Sequence, residues 1–125
     1  MEKSKILIVE DDQFLVKIYQ TKLESEGFDI ELALDGEEGI KKAAKFMPEL
    51  ILLDLILPKM NGFEVLKKLK SEEKTKNIPV IILSNLGQES DVKQGKELGA
   101  ADYLVKSDHS INEIIDKIKK ELEKK

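Results

Sequence analysis

Five short apolar runs alternate along the chain with stretches of helical period, and no other feature constrains the fold as tightly. The runs are Lys5–Val9 (KILIV), Phe28–Ala33, Leu50–Leu53 (LILL), Pro79–Leu83 (PVIIL) and Ala101–Val105 (ADYLV). Each has the length of a strand, and each is followed by apolar residues at helical spacing. Gln13–Glu26 carries Phe14, Leu15, Ile18 and Leu23 on such a stripe, and Gly27 ends it. Asp35 with Glu38 is a capping box that opens a helix with Ile40, Ala43, Ala44 and Met47 on one face, before Pro48. Pro58 and Gly62 bound a loop, after which Phe63, Leu66 and Leu69 line a third helix. A fourth runs from Glu89 to Leu98 and stops at Gly99. Ser110 and Glu113 make a second capping box, and Ile111, Ile114, Ile115, Ile118 and Leu122 form the stripe of the last helix.

Strict alternation of strand and helix predicts an α/β fold, a parallel sheet covered by helices on both faces. The run LILL has no polar member, as a strand buried on both faces requires. The 125 residues make one ordinary domain, with no linker, repeat or low-complexity segment to divide them. The net charge of −4 excludes a uniformly basic footprint for nucleic acid. All 21 basic residues are lysine, so forked arginine readout of phosphate or guanine is excluded too. With no cysteine, disulfides, thiolate catalysis and cysteine metal sites are absent, which fits a reducing cytoplasm. No apolar run approaches the roughly 20 residues that span a bilayer. The N-terminus lacks the shape of a signal peptide.

In a doubly wound sheet, ligands bind outside the carboxyl ends of the strands. The first strand ends in Glu10, Asp11 and Asp12, the third in Asp54, the fourth in Ser84 and Asn85. The fifth runs into Lys106, with Tyr103 three residues earlier. Each alone has a simpler account. Acidic residues after a strand often cap the next helix, Ser84 suits a turn, Lys106 a solvated surface and Tyr103 a half-buried ring. Together they bring several carboxylates, one hydroxyl and one ammonium to a common crevice. Clustered carboxylates persist when a hard cation neutralises them. All-oxygen ligation suits Mg²⁺, which often completes its shell with phosphate oxygens. A carboxylate can attack phosphorus while metal and ammonium balance the charge. Asp54, at the end of the central strand, is the natural nucleophile.

Four segments now carry a family resemblance: ILIVEDD at 6–12, LILLDLILPKMNG at 50–62, IILSN at 81–85 and GAADYLVK at 99–106. Over essentially its whole length the chain resembles the receiver domains of two-component response regulators, the group that includes the single-domain chemotaxis regulator. The resemblance implies a flavodoxin-like fold with five helices and strand order 2-1-3-4-5. It implies that Asp54 is the phosphoacceptor and that Mg²⁺ is held by Asp11 directly and Glu10 through water. Asp54 itself and the backbone carbonyl of Ile56 would complete the metal set, with Asp12 in the outer shell. It assigns Ser84 to the phosphoryl group after transfer, Lys106 to the phosphoryl oxygens, and Tyr103 to the aromatic switch that follows Ser84. The surface of the fourth helix, fifth strand and fifth helix would carry the output. The implied donor is a phosphohistidine on a histidine kinase or histidine phosphotransfer protein. The implied target is a downstream protein or an output domain of a longer regulator. His109, beside the last helix's cap, suits a capping or solvent-exposed role rather than that of a donor.

Three positions depart from the family pattern. Ser107 stands where a proline usually follows the lysine in a cis bond. A cis bond before serine would cost about 2.5–4 kcal/mol, so the pose of Lys106 depends on how this loop is built. Asn85 replaces a smaller residue and bears on access to Asp54. Leu57 replaces a common methionine, close to volume-conserving. A phosphate-independent binding module of the same fold is the main alternative, and Ser107 is its only support. A phosphatase of the haloacid-dehalogenase type needs a second aspartate where Ile56 stands. A flavin binder needs a phosphate loop where the carboxylates stand.

Overall fold

The structure is a computed structural model that describes residues 4–124. The remaining ends of the expected single domain, residues 1–3 and 125, lie outside the described residues. In chain order the elements are β1 (Lys5–Val9), α1 (Gln13–Ser25), β2 (Asp29–Ala33), α2 (Gly36–Phe46) and β3 (Leu50–Leu53). They continue with α3 (Gly62–Ser71), β4 (Val80–Ser84), α4 (Glu89–Glu97), β5 (Asp102–Val105) and α5 (Ile111–Glu123). A 3₁₀ turn, Lys106–Asp108, joins β5 to α5. All strand pairs are parallel, in the expected order β2-β1-β3-β4-β5. The winding direction reverses between β1 and β3, which opens the crevice where such sheets bind ligands.

Side chains alternate across the sheet and divide the core in two. Ile6, Ile8, Leu50, Leu52, Ile81 and Leu83 meet α1 and α5 through Val16, Tyr19, Leu23, Ile114, Ile115 and Ile118. Leu7, Val9, Ile51, Leu53, Val80 and Ile82 meet α2, α3 and α4. Each fully buried Leu or Ile contributes about 1.5–3 kcal/mol, so the central strands are held from both sides. Gly27, at φ +96°, ends α1 in a conformation that side chains avoid.

Three local expectations change. In α1, Phe14 is 75% exposed and Ile18 also faces out, whereas Val16, Tyr19 and Leu23 are buried. Asp12 caps the helix and sets its phase. Two residues away from Val16 is about 200° of rotation, which carries Phe14 and Ile18 to the far side. In α2 the box is shifted by one residue. Asp35 accepts from the Glu38 N–H at 2.8 Å, but Glu38 accepts from the Leu34 N–H at 2.9 Å. Met47 is a left-handed, exposed cap rather than part of the buried face, because the residue before proline avoids helical geometry. The Ser110–Glu113 box is complete.

Candidate functional site

Parallel pairing carries the functional residues to one end of the sheet. The Glu10 N–H donates to the Ala33 carbonyl and the Asp54 N–H to the Val9 carbonyl, each at 3.0 Å. Glu10 and Asp54 are thereby fixed just past β1 and β3, on adjacent strands. Both side chains are buried, with 4% and 7% exposure. Charges so enclosed need partners. Lys106, leaving β5, provides one: its Nζ lies 2.6 Å from Glu10 Oε1 and 3.3 Å from Asp54 Oδ2.

Asp54 is anchored on its other oxygen. Oδ1 accepts from the Leu55 N–H at 2.7 Å and from the Ile56 N–H at 3.4 Å. Gly62 makes this turn possible. Its N–H donates to the Leu55 carbonyl at 2.8 Å, and a Cβ there would stand 2.4 Å from Leu55 Cα and 2.5 Å from the Asp54 carbonyl oxygen. Burial pushes the Glu10 carboxyl up to about 7, against the lowering effect of the Lys106 hydrogen bond and with the added repulsion of Asp54. Burial works against the Lys106 ammonium, but the Glu10 hydrogen bond and the two carboxylate charges outweigh it and raise its pKa.

Glu10, Asp11 and Asp54 present carboxylate oxygens within 4.8 Å of one another. Asp11 is the exposed member, at the mouth. An oxygen-only set of three carboxylates fits a hard divalent cation. Ile56 follows at the rim with an exposed side chain. Asp12, expected in the outer shell, stands outside this group: its Oδ1 accepts from the Phe14 and Leu15 N–H groups at 3.0 and 3.3 Å, as the cap of α1. Its own N–H donates to Glu10 Oε2 at 3.2 Å.

Ser84 ends β4, fully buried, and Asn85 after it is exposed. The Leu86 N–H donates to Ser84 Oγ at 3.3 Å. Tyr103 sits beside Ile82 in register, buried, and its hydroxyl donates to the Leu86 carbonyl. The N–H and the carbonyl of Leu86 are thus tied to Ser84 and Tyr103 respectively, a link the sequence did not reveal. The Lys106–Ser107 bond is trans, and Lys106 reaches the site nonetheless. His109 is half-buried with an enclosed, unpartnered Nδ1. The cap of α5 beside it is Ser110, as expected.

The family model for the response regulator receiver domain matches residues 6–119. The chain belongs to the response regulator receiver domain family. Receivers of two-component systems are signalling modules switched by phosphorylation rather than ordinary enzymes. The DNA-binding dual master transcriptional regulator RpaA of Synechocystis is 44% identical over 102 residues, 82% of this chain and 42% of that protein. The alkaline phosphatase synthesis transcriptional regulatory protein PhoP of Bacillus subtilis is 43% identical over the same share of each. The chain therefore spans well under half of these relatives. A CheY-like receiver domain protein from Methanospirillum hungatei superposes with a TM-score of 0.91 at 28% identity, covering 98% of this chain and 96% of that one. The receiver domain of the Francisella response regulator 1452 gives 0.90 at 31% identity, covering 98% of each. No helix among the described residues is long and apolar enough to cross a membrane.

Proposed function

We propose that this receiver takes a phosphoryl group on Asp54 from a phosphohistidine of a histidine kinase or histidine phosphotransfer protein, and that it promotes this transfer and the later hydrolysis itself. The observation that carries the proposal is the Lys106 ammonium between Glu10 and Asp54, beside a three-carboxylate cluster open at Asp11. With Oδ1 of Asp54 held by backbone N–H groups, Oδ2 is the attacking atom. Its bond to phosphorus forms as the phosphorus–nitrogen bond of the donor breaks, and the released imidazole nitrogen takes a proton from solvent. Lys106 sits where it neutralises the phosphoryl oxygens. Asp11, Glu10, Asp54 and the Ile56 carbonyl would hold Mg²⁺. When bound, Mg²⁺ balances the charge of the phosphoryl oxygens and orients them.

The new phosphoryl oxygens attract the Ser84 hydroxyl away from the Leu86 N–H. Leu86 also accepts from Tyr103, so its movement frees Tyr103 to settle differently against α4 and β5. That is the logic of a phosphorylation switch, a local charge change that biases a two-state element. Exposed Phe14, in the first turn of α1 after the acidic residues, and exposed Ile56, two residues after Asp54, offer the partner apolar surface. Asn85 borders the entrance and sets how readily water reaches the phosphoryl group. The downstream partner is a protein target or the rest of a longer regulator. With Lys106 in the site across a trans bond, Ser107 no longer favours a phosphate-independent module.

Intact mass after incubation with acetyl phosphate tests this. One phosphoryl adduct that requires Mg²⁺ and is lost in Asp54→Asn is expected. No adduct in the wild-type protein with Mg²⁺ present would overturn the proposal.

A further inference from the structure

Gly95 stands inside α4, where glycine is among the least favourable residues. Its backbone does not call for one, since the positive-φ glycines of the described residues are Gly27 and Gly99. The reason lies in what it touches. A Cβ here would come 2.7 Å from Ile82 Cδ1, 3.0 Å from Tyr103 Cδ2 and 3.3 Å from Tyr103 Cε2. Ile82 Cδ1 ends its side chain and has a rotatable bond behind it. The Tyr103 ring is tied at both ends: its hydroxyl donates to the Leu86 carbonyl, and its backbone lies in β5, in register with Ile82 of β4.

The rest of α4 is lightly held. Its N-cap, Gln88, makes no side-chain hydrogen bond, and Gly95 is its one buried residue. Val92 is half-buried. Asp91 lies four residues before Gly95 and so on the same face of the helix, and it too bears on Tyr103. Burial first, then the charges of Asp91 and Asp54, push the phenol up to about 12. The phenol therefore keeps its proton and remains a donor to Leu86. The one point at which α4 is fully buried is thus the point that meets the Tyr103 ring.

We infer that Gly95 is a positioning residue of the switch: its missing Cβ is the room in which the buried Tyr103 ring lies, and any side chain in its place closes that room. The inference rests on the proposal that Tyr103 responds to the phosphoryl group. In a close-packed interior an overlap of a few tenths of an ångström is not absorbed smoothly. It moves the ring from one discrete arrangement to another.

The test compares wild type and Gly95→Ala by NMR of isotope-labelled tyrosine rings, with and without acetyl phosphate and Mg²⁺. The chain has two tyrosines, and Tyr19, in the opposite core layer, is the internal control. Expected are Tyr103 ring signals displaced in Gly95→Ala before any phosphate is added, unchanged Tyr19 signals, and loss of most of the shift that phosphorylation produces in wild type. Thermal unfolding adds a change of sign. Alanine is the better helix former, so Gly95→Ala should raise Tm by about 3–4 °C in a Tyr103→Ala background and lower it where the ring is present. Tyr103 signals that stay in place in Gly95→Ala, or a Tm raised alike in both backgrounds, would overturn the inference and leave the switch standing. Wild-type Tyr103 signals that ignore phosphorylation would overturn the switch and the role of Gly95 with it.

Discussion

Removing the Lys106 ammonium should destabilise the metal-free protein in a manner that depends on pH and is reversed by Mg²⁺. Lys106 sits 2.6 Å from Glu10 and 3.3 Å from Asp54. At an effective dielectric of about 20, Coulomb's law gives gross attractions of about 6 and about 5 kcal/mol at these distances. Desolvation of the ammonium offsets much of that. Taking one partner out of a buried ion pair costs about 3–5 kcal/mol, and the partial exposure of Lys106 argues for about 3 kcal/mol. The sign of the pH effect follows from Glu10. Its pKa stands at about 7, above the ordinary carboxyl value of 4.5, because burial outweighs the lysine's hydrogen bond. A pKa raised by folding adds stability at low pH that is lost as pH rises through the folded value. The wild-type protein should therefore lose stability between pH 4.5 and about 7. Without Lys106 the lowering hydrogen bond is gone, so in Lys106→Ala the loss should deepen and extend upward. Urea unfolding in EDTA should show the variant about 3 kcal/mol below wild type at about pH 8.5, with a smaller gap at about pH 6. Mg²⁺ should close most of the gap at the higher pH. A difference below about 1 kcal/mol at about pH 8.5, or one unaffected by both pH and Mg²⁺, would refute the reasoning.

Asp11→Asn removes the exposed ligand of the cluster; Mg²⁺ affinity measured by titration calorimetry should fall at least about tenfold, with unfolding free energy unchanged. Gly62→Ala forces a Cβ to within 2.4 Å of Leu55 Cα. Urea unfolding should show a loss of about 2–3 kcal/mol, and phosphorylation by acetyl phosphate should slow because the Asp54 turn must shift. Phe14→Ala alters a side chain that is 75% exposed. Stability should stay within about 0.5 kcal/mol, and the rate with acetyl phosphate should hold while transfer from a phosphorylated histidine kinase falls.

The sheet was legible because its strands are nearly pure apolar runs, such as LILL at 50–53, whose burial on both faces leaves no other solution. The site was legible because parallel strands deliver their last residues to one edge, which needs only strand ends and not side-chain detail. The phase of α1 was not legible. Residues 13–25 carry two apolar stripes, and hydrophobicity alone cannot choose between Phe14–Ile18 and Val16–Tyr19–Leu23. The Asp12 cap chooses, since it fixes where the first turn begins. Counting from that cap would have turned Val16 and Tyr19 inward. Lys106 posed a different difficulty. Ser107 made its loop uncertain on backbone grounds, but a flexible four-carbon stem leaving β5 at the same edge as Glu10 and Asp54 reaches them across a trans bond. The tie of Ser84 and Tyr103 through Leu86 rests on the path of a loop, which no periodicity encodes.

Asp54, and no other carboxylate of the cluster, should take the phosphoryl group. Borohydride reduces an aspartyl phosphate to homoserine and leaves free carboxylates untouched. Protein treated with acetyl phosphate and Mg²⁺, reduced, digested and sequenced by mass spectrometry should carry homoserine at position 54 alone. Homoserine at Asp11 or Asp12, with Asp54 intact, would contradict the account.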